Sequence, residues 1–353
     1  MTARRTQCED SAVARRKPLT IAVSAAITVG LLALLFRAVP VGDLFKTLRE
    51  IHIPGLFLYL AISLVATAAK AARAKWLLAP FRISWPDMFL VTFVRNGFED
   101  LLPARLGSLS YVVVLNKKLG CPFETAASTL VVMLVFDFLT LSPFVLAALL
   151  LAGSAASILP GPLFIGLALG YFAVVLVIAW KIVPLTRFGV AIVRRALDLF
   201  KAANRPRARR ALAKLDETVA ALAVIQARSL AFPLFLVSAV IRLLKYLSLY
   251  ALLLALVRHL GIGPQELALW KVVLGITAAE LTSLLPVKGL ADFGTWESAW
   301  VLAFALMGLD RSTAVLSGFS LHLMTNLFEY GFALLALLAV SLRRRKSAAV
   351  PAP

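Results

Sequence analysis

Long apolar stretches separated by short polar segments dominate the chain. Each of the longest stretches can form a membrane-spanning helix, which needs about 20 consecutive apolar residues. These stretches are 19–39, 54–79, 124–152, 160–182, 230–257 and 312–341. Hydrophobic residues make up 61% of the 353 residues and charged residues only 16%, which excludes an ordinary soluble domain. The pattern predicts an all-α, polytopic membrane protein.

Two shorter apolar regions end in related motifs. The motif "LLPARLGS" at 101–108 follows an apolar piece at 84–102, and "LLPVKGLADFG" at 284–294 follows one at 265–283. Proline removes a backbone donor and glycine admits unusual backbone angles, so each motif predicts a helix break. Unpaired backbone groups are costly in hydrocarbon, and the breaks therefore predict a cavity lined by protein or water.

The distribution of basic residues predicts the orientation. The net charge is +19, but the basic clusters flank apolar spans, as in cytoplasmic segments of bacterial inner-membrane proteins. Span 54–79 ends in Lys70, Arg73, Lys75 and Arg82, which mark that end as cytoplasmic. We therefore expect cytoplasmic termini and no nucleic-acid partner. The basic region 187–228 is either an orientation anchor or a sensor of the lipid surface.

This orientation makes the two broken segments enter from opposite faces. Two similar units of opposite direction form an inverted repeat, and transporters often bind substrate where such broken helices meet. Full double crossings would give the same loop sidedness, so re-entrance is inferred from the short flanking pieces. The predicted division is a tail at 1–18, a transmembrane domain at 19–342 with repeats at about 54–182 and 230–341, and a tail at 343–353.

Each break places a cation beside a helix terminus. Arg105 and Lys288 both lie two residues after the proline. Free amides at helix ends attract anions, arginine can bind phosphate in a bidentate way, and lysine acts as a point charge. This combination favours a lipid phosphate. The alternative is that Leu-Leu-Pro ends a helix at the membrane surface and the cation reaches outward to water.

Ionisable residues inside the spans are further candidates. Asp137 lies mid-span, where a lone carboxylate costs about 2.5–3.5 kcal/mol on insertion scales. Two helix faces carry polar residues at helical spacing: Ser238, Arg242 and Lys245 on one, His322, Asn326 and Glu329 on the other. They either pair between helices, as Glu329 would with Arg242 or Lys245, or line a groove for a head group. His322 alone is not expected to bind metal or carry a proton.

The second break is rich in charge. Glu280, Lys288, Asp292 and Glu297 can neutralise one another, and Glu297 can cap free amides in the first turn of the next helix. We predict that the head-group ligands are Arg105, Lys288, Asp137, Arg242 and Glu280.

No known motif for metal, nucleotide or hydrolytic chemistry is present. The two cysteines have no metal-binding partners in sequence, and HExxH, GxSxG and Walker motifs are missing. We therefore expect no cofactor, no metal and no enzymatic activity. The competing hypothesis is an intramembrane enzyme that uses Asp137, Glu280 or Glu297 as acid and base. No nucleophile lies at a suitable spacing from a base in the sequence.

The segments "LLPARLGS", "VVMLVFDFLTLS" and "LLPVKGLADFGTWESAW", with the helix of His322, resemble the lysylphosphatidylglycerol synthase/flippase transmembrane family over roughly 20–342. The matching positions are Pro103, Arg105 and Gly107 in the first motif, Asp137, and Pro286, Gly289, Gly294 and Glu297 in the second. The resemblance implies that the prolines, the glycines and Glu297 form the scaffold of the breaks. Ser108 departs from the family's usual glutamate, and Leu134 from an arginine three residues before the aspartate.

The resemblance also implies a flippase-type function. We expect translocation of an anionic or aminoacylated phospholipid, or a glycolipid, without nucleotide hydrolysis and without an aminoacyl-transferase domain. The alternative is a non-transporting membrane partner of a lipid or glycolipid biosynthetic enzyme.

Overall fold

The fold was obtained as a computed structural model. It describes residues 28–35, 37, 40–79, 81–99, 101, 103–152, 181–199, 230–285 and 288–342, with isolated positions between 162 and 177 and between 208 and 223. Within these ranges the regular structure is helical and contains no strand, which confirms the all-α class. Outside them lie the tails, most of the spans 19–39 and 160–182, parts of the basic region 187–228, and Pro286.

The helices have boundaries close to the predicted ones. In chain order they are α1 Val41–Arg49, α2 Ile53–Leu77, α3 Trp85–Glu99, α4 Leu109–Leu119, α5 Phe123–Leu139, α6 Leu141–Ala152, α7 Ile182–Leu199, α8 Ala231–Val257, α9 Leu269–Leu281, α10 Thr295–Leu306 and α11 Arg311–Leu342. Among the described residues, four helices are long and apolar enough to cross a membrane: Ile53–Leu77, Phe123–Leu151, Ala231–Leu260 and Arg311–Leu342.

Local chemistry explains several helix ends. His52 caps α2, because its Nδ1 accepts a hydrogen bond from the backbone N–H of Gly55 at 3.2 Å. The turn between α5 and α6 lies at Thr140, whose hydroxyl donates to the carbonyl of Phe136 at 2.9 Å, a contact that bends helices. Helix α1 was not predicted, because its nine residues are amphipathic and form no apolar run.

Both motifs interrupt helices as predicted. A 3₁₀ turn at Pro103–Ser108 separates α3 from α4, and the turns Thr282–Leu284 and Leu290–Asp292 separate α9 from α10. Gly107 allows a close approach, since a Cβ there would lie 1.4 Å from the carbonyl oxygen of Phe98. The first break also packs directly against Thr282–Leu284, so the two interrupted segments meet.

Helices from the first half of the chain pack against helices from the second half. Helix α2 packs on α8, α3 packs on α11, and α9 packs on α6. One apolar core joins α3 and α4 to the last turns of α2 and α11, where Ala74 and Val340 lie. A second core joins α9 and α10 to the first half of both helices, where Tyr59 and Leu321 lie. The two broken hairpins thus pack near opposite ends of α2 and α11; their symmetry and membrane sidedness stay predictions.

Candidate functional site

Asp137 is the centre of a buried ionic network. Its Oδ1 lies 2.6 Å from Nη1 of Arg73 on α2, and its Oδ2 lies 3.5 Å from Nη2 of Arg95 on α3. The same Nη1 of Arg73 donates to the hydroxyl of Ser238 on α8 at 2.6 Å. The carboxylate therefore joins α2, α3 and α5, and Arg73 extends the network to α8. Such pairing makes a charge tolerable inside a span, and it is the interhelical pairing that was one of the two alternatives for Asp137. Its role in binding a head group stays a prediction.

Arg242 connects this network to α9. Its Nη1 donates to Oε2 of Glu280 at 2.7 Å, and its Nη2 donates to the backbone carbonyl of Asp137 at 2.7 Å. Lys245, less than one turn further along α8, lies 2.6 Å from Oε1 of Glu280. Interhelical pairing was thus correctly expected for Arg242, but its partner is Glu280 and not the suggested Glu329.

Two basic residues of α2 have a role that differs from the predicted one. Lys70 and Arg73 were used as markers of a cytoplasmic helix end, yet Arg73 is only 1% exposed and Lys70 lines the interior. Lys70 donates to Oδ1 of Asn96 at 3.1 Å. The reason is that α2 presents this face to the charged side chains of α3 and α5. Lys75 lies nearer the helix end, with its amine 5.6 Å from the centre of the Trp85 ring.

A polar cavity of about 90 Å³ lies beside this network. Its acidic and basic lining comes from helices of both halves and from the second break: Lys70, Glu99, Lys245, Glu280, Asp292, His322 and Glu329. Ser63, Thr67 and Asn96 add neutral hydrogen-bonding groups. The cavity therefore offers cations and carboxylates together to whatever it holds.

The second break is stabilised from within. Lys288 and Asp292 are each 1% exposed and form an ion pair of 2.5 Å. Glu297 accepts a hydrogen bond from the backbone N–H of Gly294 at 2.7 Å, the capping contact expected of it. Its other oxygen lies 2.6 Å from Nδ1 of His322 on α11. Gly289 precedes the turn Leu290–Asp292.

Only part of the first break is described at the level of side chains. The side chains of Pro103 and Arg105 lie outside the described residues, so the role of Arg105 in head-group binding stays a prediction. Glu99, at the end of α3, reaches the cavity and lies 3.7 Å from Nη2 of Arg95. Ser108 is buried at 1% exposure directly after Gly107.

The sequence of the chain matches the model of a known family. The profile described as "Lysylphosphatidylglycerol synthase TM region" matches residues 21–345. The chain belongs to this family. Membership indicates a multi-pass membrane protein with a role in lipid handling. Comparisons with curated protein sequences and with solved structures give no match.

The departure from the family pattern near Asp137 has a physical explanation. Leu134 stands where the resemblance leads us to expect an arginine, and it packs against an apolar core. Arg73 and Arg95 supply guanidinium groups to the aspartate from two other helices. The ionic environment of Asp137 is thus present although its local motif is incomplete.

Sequence reasoning did not include α2 and α3 among the site-forming elements. The available signal was a polar stripe on α2, where Ser63, Thr67 and Lys70 follow one another at helical spacing within an apolar span. On α3, Arg95, Asn96 and Glu99 interrupt an otherwise apolar piece. Ionisable residues inside spans mark functional candidates in general, and this rule applies to both helices.

Proposed function

We propose that the protein moves a polar or anionic lipid between the two leaflets of the membrane, with the head group passing through the central cavity and without nucleotide hydrolysis. The observation that carries the proposal is the lining of this cavity by charged side chains from both halves of the chain and from the second break. A head group that leaves water needs such charged partners to replace its hydration.

Among the described residues, Lys245 is a cation that is well placed to contact the head group. Its side chain is 36% exposed, whereas Arg242 on the same helix is 7% exposed and Glu280 is 9% exposed. A lipid phosphate can therefore take the place of Glu280 at the Lys245 amine, while Arg242 keeps Glu280 neutralised. Arg242, Glu280 and Asp137 then act as the fixed wall of the site.

The packing of the two broken hairpins supports movement between leaflets. Each hairpin belongs to a core near a different end of α2 and α11, and the two breaks touch between them. A site at the junction of two oppositely placed units can become accessible from one side and then from the other when one unit rocks against its partner.

Reconstitution tests the proposal. The purified protein is placed in liposomes that contain labelled phosphatidylglycerol, phosphatidylcholine or an aminoacylated phospholipid, and the exchange of label between leaflets is followed. We expect exchange faster than in protein-free vesicles, and mass spectrometry should show unchanged lipids. Exchange no faster than in empty vesicles for every lipid would reject transport. A stoichiometric biosynthetic enzyme in the same preparation would then favour the alternative, a non-transporting membrane partner of that enzyme.

A matched pair of variants tests the site. Lys245→Gln removes the cavity amine and should slow exchange of the anionic lipid by about tenfold, the effect of losing one charge-assisted hydrogen bond. Lys117→Gln removes an exposed amine at the end of α4, outside the cavity, and should leave the rate unchanged. Equal rates for both variants would contradict the assigned role of Lys245.

A further inference from the structure

His322 has surroundings that its sequence position did not reveal. It is buried at 5% exposure in the wall of the cavity, and its Nδ1 lies 2.6 Å from Oε1 of Glu297. The ring stacks on Trp296 with 4.8 Å between ring centres and lies 4.7 Å from the ring of Phe293. Histidine is the side chain that ordinarily changes charge nearest neutral pH. A buried carboxylate in contact with an imidazole is therefore a place where one proton can be held.

Glu297 connects this histidine to the backbone of the second break. Its side chain is completely buried, and its Oε2 accepts the N–H of Gly294, the residue that caps α10. The charge of this carboxylate is thus shared between the imidazole on one side and the helix terminus on the other. A change in the charge of His322 must alter how strongly Glu297 holds Gly294.

The segment that Glu297 holds has strained backbone angles. Ala291 and Asp292 have φ values of 50° and 64°, a region that residues with a Cβ rarely adopt, and Gly294 has φ 86°. The ion pair of Lys288 with Asp292 and the bond from the Thr295 hydroxyl to Asp292 at 3.1 Å keep it in place. Strained segments of this kind exist only while surrounding contacts maintain them, so weakening one contact favours a second conformation.

Charged and titratable groups face His322 across the cavity from the surrounding elements. They are Asp292 in the second break, Glu297 on α10, Glu329 on α11, Tyr59 and Lys70 on α2, Glu99 on α3, Lys245 on α8 and Glu280 on α9. Arg95, Arg242 and Lys288 offset Glu99, Glu280 and Asp292. A proton on His322 therefore adds one positive charge to a cavity in which Glu99, Glu280 and Asp292 already have cationic partners.

We propose that the His322–Glu297 pair is a proton-binding site that controls the conformation of the second break and the charge of the cavity. Below the titration midpoint the imidazole is a cation, the cavity gains positive charge, and an anionic head group binds more tightly. Above it the imidazole is neutral and this attraction is lost. Only the lipid step rests on the proposed function, because proton binding and its effect on the break can be measured without a lipid.

Trp296 reports the protonation state directly. A protonated imidazole stacked on an indole quenches its fluorescence, so the fluorescence of the purified protein should depend on pH and should be weaker at acidic pH. His322→Gln and Trp296→Phe should each abolish this titration. His259→Gln is the matched control, since His259 contacts Thr47 outside the cavity, and it should retain the titration. A titration that persists in His322→Gln overturns the proposal. If His322→Gln does not fold, a titration that persists in Trp296→Phe overturns it instead.

Amide hydrogen exchange tests the link to the break. After correction for the intrinsic pH dependence of exchange, the peptide covering 288–297 should change protection with the same midpoint as the fluorescence. His322→Gln should remove the change, and His259→Gln should not. Protection that is independent of pH in the wild type, or equally dependent on pH in His322→Gln, overturns the coupling.

The lipid step separates this proposal from the proposed function. Exchange of labelled phosphatidylglycerol should depend on pH with the midpoint of the fluorescence, and the dependence should disappear in His322→Gln. If no lipid moves in the wild type at any pH, the proposed function fails, and the fluorescence and exchange results decide the proton site by themselves. A pH dependence of lipid exchange that is unchanged in His322→Gln overturns control by this pair.

Discussion

At the scale of single residues, the protein places full charges between apolar helices and pairs them. Asp137 shows this most clearly, because two guanidinium groups from different helices meet its carboxylate and a third, from Arg242, binds its backbone carbonyl. A pair of buried ions contributes little net stability compared with apolar residues, but removing one partner leaves the others uncompensated. The network therefore holds the helices in one arrangement rather than simply adding stability.

Replacing Asp137 should be severely destabilising. Asp137→Asn leaves Arg73 and Arg95 without their shared carboxylate, and we expect the free energy of unfolding to fall by about 3–5 kcal/mol. Asp216→Asn is the matched control, because its ion pair with Arg194 is about half exposed and should be worth about 0–1 kcal/mol. Thermal unfolding in detergent measures both. Similar losses for the two variants would mean that the network has no special structural role.

The residues of this network were easier to find in the sequence than their partners. Asp137, Arg242 and Glu280 stand out because each is a charge inside an apolar stretch. Which of them meet depends on how each helix is rotated about its axis, and helix rotation is decided by packing across distant segments. For that reason Glu280 was not recognised as the partner of Arg242, and Arg73 was read as a marker of orientation.

At the scale of elements, the two helix breaks depend on backbone geometry as much as on side chains. Proline and glycine in the motifs were sufficient to predict where helices stop, and the turns at Pro103–Ser108 and Thr282–Leu284 agree with that prediction. Their direct contact could not be predicted, since it joins segments from opposite halves of the chain. The amphipathic helix α1 was missed because a search for apolar runs does not detect it.

Gly107 offers a test of the first break. Gly107→Ala would place a Cβ 1.4 Å from the carbonyl oxygen of Phe98, so the turn must move. We expect a loss of at least about 1–3 kcal/mol in stability, the usual effect of overpacking. Gly189→Ala in α7, where no atom lies within 4 Å of a new Cβ, should instead stabilise by about 0.5–1 kcal/mol through helix propensity. Opposite signs in thermal unfolding are expected; a neutral Gly107→Ala would contradict the close approach.

At the scale of the whole molecule, the question is whether the two broken hairpins face opposite sides of the membrane. The core around α3 and α4 includes Ala74 near the end of α2, and the core around α9 and α10 includes Tyr59 near its beginning. A single helix that crosses the membrane thus contacts one hairpin near each end. The charge pattern of the sequence and the packing of the fold lead to the same expectation, since one uses the basic residues that flank apolar spans and the other uses apolar contacts between helices.

Labelling of single cysteines should decide the sidedness. Ser84→Cys and Lys117→Cys lie before α3 and near the end of α4, and both should react with a membrane-impermeant maleimide only in inside-out vesicles. Gln265→Cys and Arg311→Cys lie before α9 and just after α10, and both should react only in right-side-out vesicles. Reaction of Ser84→Cys and Lys117→Cys from different sides would mean that α3 and α4 cross the membrane completely.

The native Cys121 should not react with the maleimide, because it is buried. This residue is buried between α4 and α5, and burial raises the pKa of its thiol to about 11, so little reactive thiolate forms at neutral pH. Replacing Cys8 by serine should therefore leave a protein that does not react from either side, and Cys121 can stay in its packed position. If all four introduced cysteines then react from one face, the hairpins do not oppose each other. A cavity between them could no longer open alternately to the two leaflets, and the proposed lipid transport would lose its structural basis.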